Sequence, residues 1–78
     1  MATVRLFASA RDAAGTGTDV LDGTTVAEVL AAAELRYGQR FSDVLTTCRI
    51  WVNGDTAHPE TRVGPHDEVA VLPPVSGG

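Results

Sequence analysis

The sequence predicts an α+β fold in which a mixed sheet of four to five strands packs on one main helix. Three observations carry this. Val, Leu, Ile, Phe and Trp gather in short alternating runs near both ends of the chain, as half-buried strands require. One stretch, Thr25 to Tyr37, instead repeats its apolar residues at three and four, the period of an amphipathic helix. The chain has 78 residues, enough for a single small core and too few for a second. Residues 1–72 are expected to form the domain, and residues 73–78 an extended tail.

Thr3 to Ala8 (TVRLFA) reads as the first strand. Alternation puts Val4, Leu6 and Ala8 on one face and Thr3, Arg5 and Phe7 on the other. Ser9 to Gly17 is small, polar and Gly-bearing, so a connection is expected there, leading to a short second strand over Thr18 to Leu21. Thr25-Val26-Ala27-Glu28 fits a capping box, with the Thr hydroxyl accepting from the third backbone N–H and Glu28 reaching back to the cap. Val26, Val29, Leu30, Ala33 and Tyr37 then make the apolar stripe, and Gly38 supplies a left-handed stop.

Phe41 to Thr47 is expected to be irregular or briefly helical, with Phe41 and Leu45 at the edge of the core. Cys48 to Val52 is the third strand. Asn53-Gly54 suits a tight hairpin turn, since both residues tolerate positive φ, and Asp55 to Ala57 returns as a short strand. Pro59, Gly64 and Pro65 mark turns, and Glu68 to Leu72 (EVAVL) is the last strand. Strand, strand, helix, strands is the order of the β-grasp or ubiquitin-like arrangement, whose first and last strands lie parallel at the centre. That adjacency is fold-level analogy.

Composition narrows the function. Six basic residues stand against ten acidic ones, net −4, with no basic run, which disfavours nucleic acid as the partner. No apolar run approaches the ~18 residues of a membrane span, and the opening Met-Ala-Thr-Val-Arg lacks a signal peptide's apolar stretch, so no membrane is expected and a cytoplasmic location is. Cys48 is the only cysteine, in keeping with a reducing compartment. All six basic residues are Arg and there is no Lys, which leaves the α-amino group as the ordinary amine nucleophile.

Familiar catalytic sets are missing. Cys48 reads as a small hydrophobe without a neighbouring base. His58 and His66 sit in turns with no ligand partner at metal spacing, and Asp12, Asp19 and Asp22 read as solvated surface, so no metal site is expected. Gly15-Thr16-Gly17 lacks the further glycine and the Lys of a phosphate loop. The remaining feature is the end of the sequence. Pro73 and Pro74 stiffen the chain as it leaves the last strand, Val75 and Ser76 follow, and Gly77-Gly78 removes all side-chain bulk, so that a carboxylate on Gly78 could enter a narrow channel.

The ending Asp67-Glu68-Val69-Ala70-Val71-Leu72-Pro73-Pro74-Val75-Ser76-Gly77-Gly78 resembles that of the small subunit of molybdopterin synthase, the MoaD type within the MoaD/ThiS ubiquitin-like sulfur carriers. Leu6-Phe7-Ala8, Arg11, Ala13-Ala14-Gly15 and Val52-Asn53 are also similar to the family. The thiazole-pathway carriers share the fold and Gly-Gly but usually lack Pro-Pro-Val-Ser; carriers for cysteine synthesis are closer in their tails.

The resemblance implies that an E1-like enzyme of the MoeB type uses ATP to adenylate Gly78, and that a sulfur donor protein then converts it to a thiocarboxylate. Sulfur would pass to a cyclic pyranopterin phosphate inside the large synthase subunit of the MoaE type. On this view the chain binds no cofactor and is no enzyme by itself. A carrier for another pathway and a protein modifier joined through Gly78 are the alternatives. The partner surface is expected on the sheet face opposite the helix, where Phe7, Trp51, Ala70 and Leu72 would form an apolar patch ringed by Arg5, Arg49 and Glu68. Phe7 and Leu72 follow the family and Trp51 follows from alternation. Arg11 is expected to join the partner contacts.

Overall fold

The computed structural model describes residues 1–74. Five strands and three helices follow in the order β1 (Ala2–Leu6), α1 (Ala8–Ala14), β2 (Thr18–Leu21), α2 (Val26–Tyr37), α3 (Gln39–Leu45), β3 (Arg49–Val52), β4 (Asp55–Thr56) and β5 (Glu68–Leu72). They build one mixed sheet of order β2-β1-β5-β3-β4. The pair β1–β5 is parallel, with Val4 opposite Val69 and Leu6 opposite Val71, and the other pairs are antiparallel. First and last strands therefore lie side by side at the centre, as the β-grasp order requires.

The inner face of the sheet is aliphatic. Val4, Leu6, Val69 and Val71 share one buried cluster with Val26, Val29 and Ala33 of α2 and Phe41 of α3. Ile50 packs against its edge. The stripe foreseen on α2 is the one that faces this cluster, with Leu30 and Tyr37 half-buried at its border.

Four local expectations change. The stretch Ser9 to Gly17 is not merely a connection, because α1 fills most of it and buries Ala10 completely. Four alanines favour helix there, and tertiary burial sustains a piece too short to persist alone. β1 ends at Leu6, so Ala8 does not line the inner face. Instead it opens α1 at φ 49 and lies exposed, a left-handed turn that costs an alanine about 1 kcal/mol. Phe41 to Thr47 contains a regular helix, α3, and Phe41 is fully buried rather than at the edge. Cys48 and Ala57 fall just outside β3 and β4.

The cap of α2 forms in part as expected. Thr25 Oγ1 accepts from the Glu28 N–H at 3.2 Å, but the Glu28 carboxylate accepts from the N–H and hydroxyl of Thr24, one residue before the cap. Thr25 is bridged to Arg62, which draws its backbone toward that segment. Gly38 has φ 93 and ψ −170, not the left-handed helical stop, and serves as both the end of α2 and the start of α3. Gly23 is held by close approach: at φ 143 a Cβ there would lie 2.7 Å from the Val29 backbone nitrogen.

A polar clasp ties β2 to α2. Asp19 accepts from the Tyr37 hydroxyl at 2.6 Å and from Arg36 Nη1 at 2.9 Å. These donors hold the Asp19 carboxyl below its usual range, the tyrosine bond contributing most. Burial, reinforced by the bond to Asp19, pushes the Tyr37 phenol well above its ordinary value. Tyr37 also meets Phe41 edge-on, ring centres 5.1 Å apart.

Candidate functional site

β5 is the strand from which the chain leaves the sheet, and it is gripped on both sides. β1 pairs with it from Thr3–Glu68 to Leu6–Val71, and β3 pairs with it from Val52–Val69 to Arg49–Leu72. The Phe7 N–H continues the ladder by donating to the Val71 carbonyl at 3.3 Å. Pro73 and Pro74 follow without regular structure, the first half-buried and the second exposed. A proline donates no N–H, so neither can carry β5 further as an inner strand. Val75, Ser76, Gly77 and Gly78 lie outside the described residues.

The period of two sends alternate residues of the three central strands to the outer face. One row across that face runs Arg5, Ala70, Trp51 and Thr56, each opposite the next. The neighbouring row joins Leu72 to Arg49, and Phe7 stands beyond Leu6 on the other side of β5. Phe7 is 41% exposed, while Ala70, Leu72 and Trp51 are half-buried. The four residues foreseen as an apolar patch thus occupy adjoining lattice positions on this face. Arg11 is exposed on α1, and its side-chain stem lies 3.3 Å from where a Cβ on Gly17 would sit. The absent side chain at Gly17 is what lets the arginine lie flat there.

The charges around the patch are unequal. Arg5 Nε donates to Glu68 Oε2 at 2.8 Å, forming an ion pair at the rim. Arg49 is exposed and makes no ion pair among the described residues. It lines a shallow pocket of about 220 Å³ with Ile50, Trp51, Thr56 and Ala57. Pockets for small molecules usually exceed ~300 Å³ and are more enclosed, so this hollow suits a side chain better than a pterin-sized ligand. Thr56 was not singled out from the sequence, although the Asn53-Gly54 turn sets the register that brings it opposite Trp51.

That turn is pinned to the root of β5. Asn53 has φ 51 and Gly54 φ 87, as a two-residue hairpin of this type requires. Asn53 Nδ2 donates to Asp67 Oδ1 at 2.8 Å, and Asn53 Oδ1 accepts from the Glu68 N–H at 2.9 Å. Asp67 also accepts from the Gly64 N–H at 2.7 Å. These bonds, that from Asn53 first, keep the Asp67 carboxyl below its ordinary range.

Among the described residues no other chemical centre competes with this surface. Cys48 is half-buried, its Sγ 3.3 Å from the Val44 carbonyl, and burial raises its thiol pKa, the opposite of activation. His58 and His66 are exposed. Among the described residues no three His, Cys, Asp or Glu side chains converge as a metal site, and no helix is long and apolar enough to cross a membrane.

Comparison with known proteins places the chain. Residues 4–78 match the ThiS family. The solution structure of small archaeal modifier protein 1 from Methanosarcina acetivorans is 32% identical, with a TM-score of 0.88 over 99% of this chain and 95% of that one. The crystal structure of the Haloferax volcanii SAMP1 is 30% identical, with a TM-score of 0.81 over 97% of each chain. A chain in the complex of subunits 1 and 2 of the molybdopterin-converting factor from Helicobacter pylori 26695 shares the fold at 23% identity, with a TM-score of 0.72 over 99% of this chain and 97% of that one. No curated protein matches.

Proposed function

The chain belongs to the ThiS family of ubiquitin-like sulfur carriers and modifiers, and on that premise we propose that it is the sulfur-donating small subunit of a molybdopterin synthase. The observation that supports this most is the setting of the chain's exit. The central strand, held by β1 and β3, ends at Leu72 beside Phe7 and runs directly into Pro73-Pro74. An anchored root, a stiff stalk and an adjoining apolar surface suit a body that docks while its end is worked on elsewhere.

In this reading the Gly78 carboxylate attacks the α-phosphate of ATP in an adenylating enzyme of the MoeB type, and pyrophosphate leaves. Direct attack on a carboxylate is slow because it adds charge to an anion; the acyl adenylate offers AMP as a good leaving group. A persulfide on a donor protein attacks the acyl carbon and AMP leaves, giving an acyl disulfide. A thiol then attacks the donor's sulfur, so that the S–S bond breaks, a disulfide forms on the donor side and the thiocarboxylate is released, which attacks the pterin substrate more readily than a carboxylate would. Gly77 and Gly78 let the backbone enter the two active sites. The partners supply the acid, the base and the pocket. Phe7, Leu72 and Trp51 hold the body against the large subunit of the MoaE type, with Arg11 at the margin.

Mass spectrometry tests the reading. With the adenylating enzyme, ATP and a sulfur donor, the intact chain should gain the mass of one sulfur-for-oxygen exchange at Gly78, and the product should convert the pterin precursor when the large subunit is added. A thiocarboxylate that forms but is used only by a cysteine or thiazole synthase would reassign the pathway.

A second reading has its own support, since the relatives at 30 and 32% identity are small archaeal modifier proteins. A modifier joined through Gly78 could be attached to lysines of other proteins. Lacking Lys itself, it could not build lysine-linked polymers. Gly78-dependent conjugates in cells would favour this reading, and ladders of the chain on itself through lysine would contradict it.

A further inference from the structure

The two arginines that border the outer face differ in whether they carry their own counter-charge. Arg5 is already paired with Glu68 at 2.8 Å, so a protein that covers it meets a neutral pair. Arg49 makes no ion pair among the described residues, yet it stands opposite Leu72 across the β3–β5 ladder and two residues from Trp51 on the same face. A partner that seals Leu72 and Trp51 from water also meets Arg49, which adjoins both on the sheet. Burying such a charge alone is strongly unfavourable, and its removal from water is compensated only by a well-placed acceptor.

From this we infer that the protein surface docking on this face presents a carboxylate side chain to Arg49, received in the pocket that Arg49 forms with Trp51, Thr56 and Ala57. The inference rests on the proposed docking face and adds the chemistry of the partner. The hollow of about 220 Å³ takes an Asp or Glu side chain. The planar guanidinium can bind a carboxylate through two parallel N–H donors, and Thr56 lines the same hollow. The chain is acidic overall, net −4, so a partner with a generally basic surface is steered toward it. One acidic residue set against Arg49 would then fix register, because wrong alignments leave both charges uncompensated.

Binding of the isolated large synthase subunit by titration calorimetry tests this, using the full chain and its Phe7→Ala, Arg49→Glu and Arg5→Ala variants. Each position is exposed, and melting curves verify that the variants fold. Arg49→Glu should weaken binding by roughly 30-fold or more, and Arg5→Ala by less than about five-fold. Reversing the opposing partner carboxylate to Arg should recover most of the loss in Arg49→Glu. If Phe7→Ala weakens binding while Arg49→Glu binds like the parent, the face is right and the carboxylate is wrong. If neither variant changes binding, or the parent chain does not bind, the docking reading itself fails and takes this inference with it.

Discussion

On the inner face of the sheet Val4, Val69 and Val71 are 0% exposed and Leu6 only 2%, whereas on the outer face Trp51, Ala70 and Leu72 are half-buried and Phe7, just beyond β1, remains 41% exposed. Both sets are apolar and alternate along identical backbone. The difference lies in what was built against them: α2 and α3 complete a core with the first set, while the second has only the Arg5–Glu68 pair and Arg49 along its margins. Apolar character therefore identifies residues suited to burial, and the rest of the chain shows which ones it covers and which it leaves open.

The largest test of this contrast is Phe41→Ala. Phe41 is fully buried, and its truncation should cost about 3–5 kcal/mol, enough to leave a domain of this size largely unfolded in a denaturant titration. Next comes Thr25→Ala, which removes the oxygen that accepts from the Glu28 N–H. A loss of about 1 kcal/mol is expected, read from the same titration with an unchanged slope.

Asp19→Asn probes the clasp between β2 and α2 through pH. The Asp19 pKa is lowered in the folded state, so its contribution is present above the unfolded carboxylate value and is lost as pH falls through the folded value. The parent chain should lose stability on acidification below about pH 4, and the Asn variant should show a shallower loss there, having already lost that contribution at neutral pH. The smallest effect on folding belongs to Phe7→Ala, about 0.5 kcal/mol, although the same change should weaken partner binding. If Phe7→Ala instead unfolds the isolated chain, the two faces have been assigned the wrong way round.

Much of this fold was legible because the residues concerned speak through local patterns. Val26, Val29 and Ala33 mark the helix by spacing, Asn53-Gly54 marks the hairpin by its backbone tolerance, and alternation in EVAVL separates Val69 and Val71 from Ala70 and Leu72. The misses share another cause. Helix α1 is sustained by burying Ala10 under neighbours remote in sequence, so Ser9 and Gly15-Thr16-Gly17 concealed it. Glu28 accepts from Thr24 instead of from the cap, and the segment around Thr25 is bridged to Arg62 through the Val26 and Val63 N–H groups, a long-range contact. Of the site, Phe7, Leu72 and Trp51 could be placed from period and order, but the unequal pairing of Arg5 and Arg49 could not, since it depends on which carboxylate the parallel register sets beside which arginine.

By itself the sequence determined the strands, helix α2, the proline pair that follows β5 and the kind of face each strand would present, all of which follow from backbone geometry and hydrophobic period. Only the tertiary structure decided that β1 and β5 meet in parallel, that Arg5 is neutralised while Arg49 is not, and that Trp51 borders a hollow. Those facts depend on side chains brought together from distant parts of the chain, and no local propensity encodes which distant partners will meet.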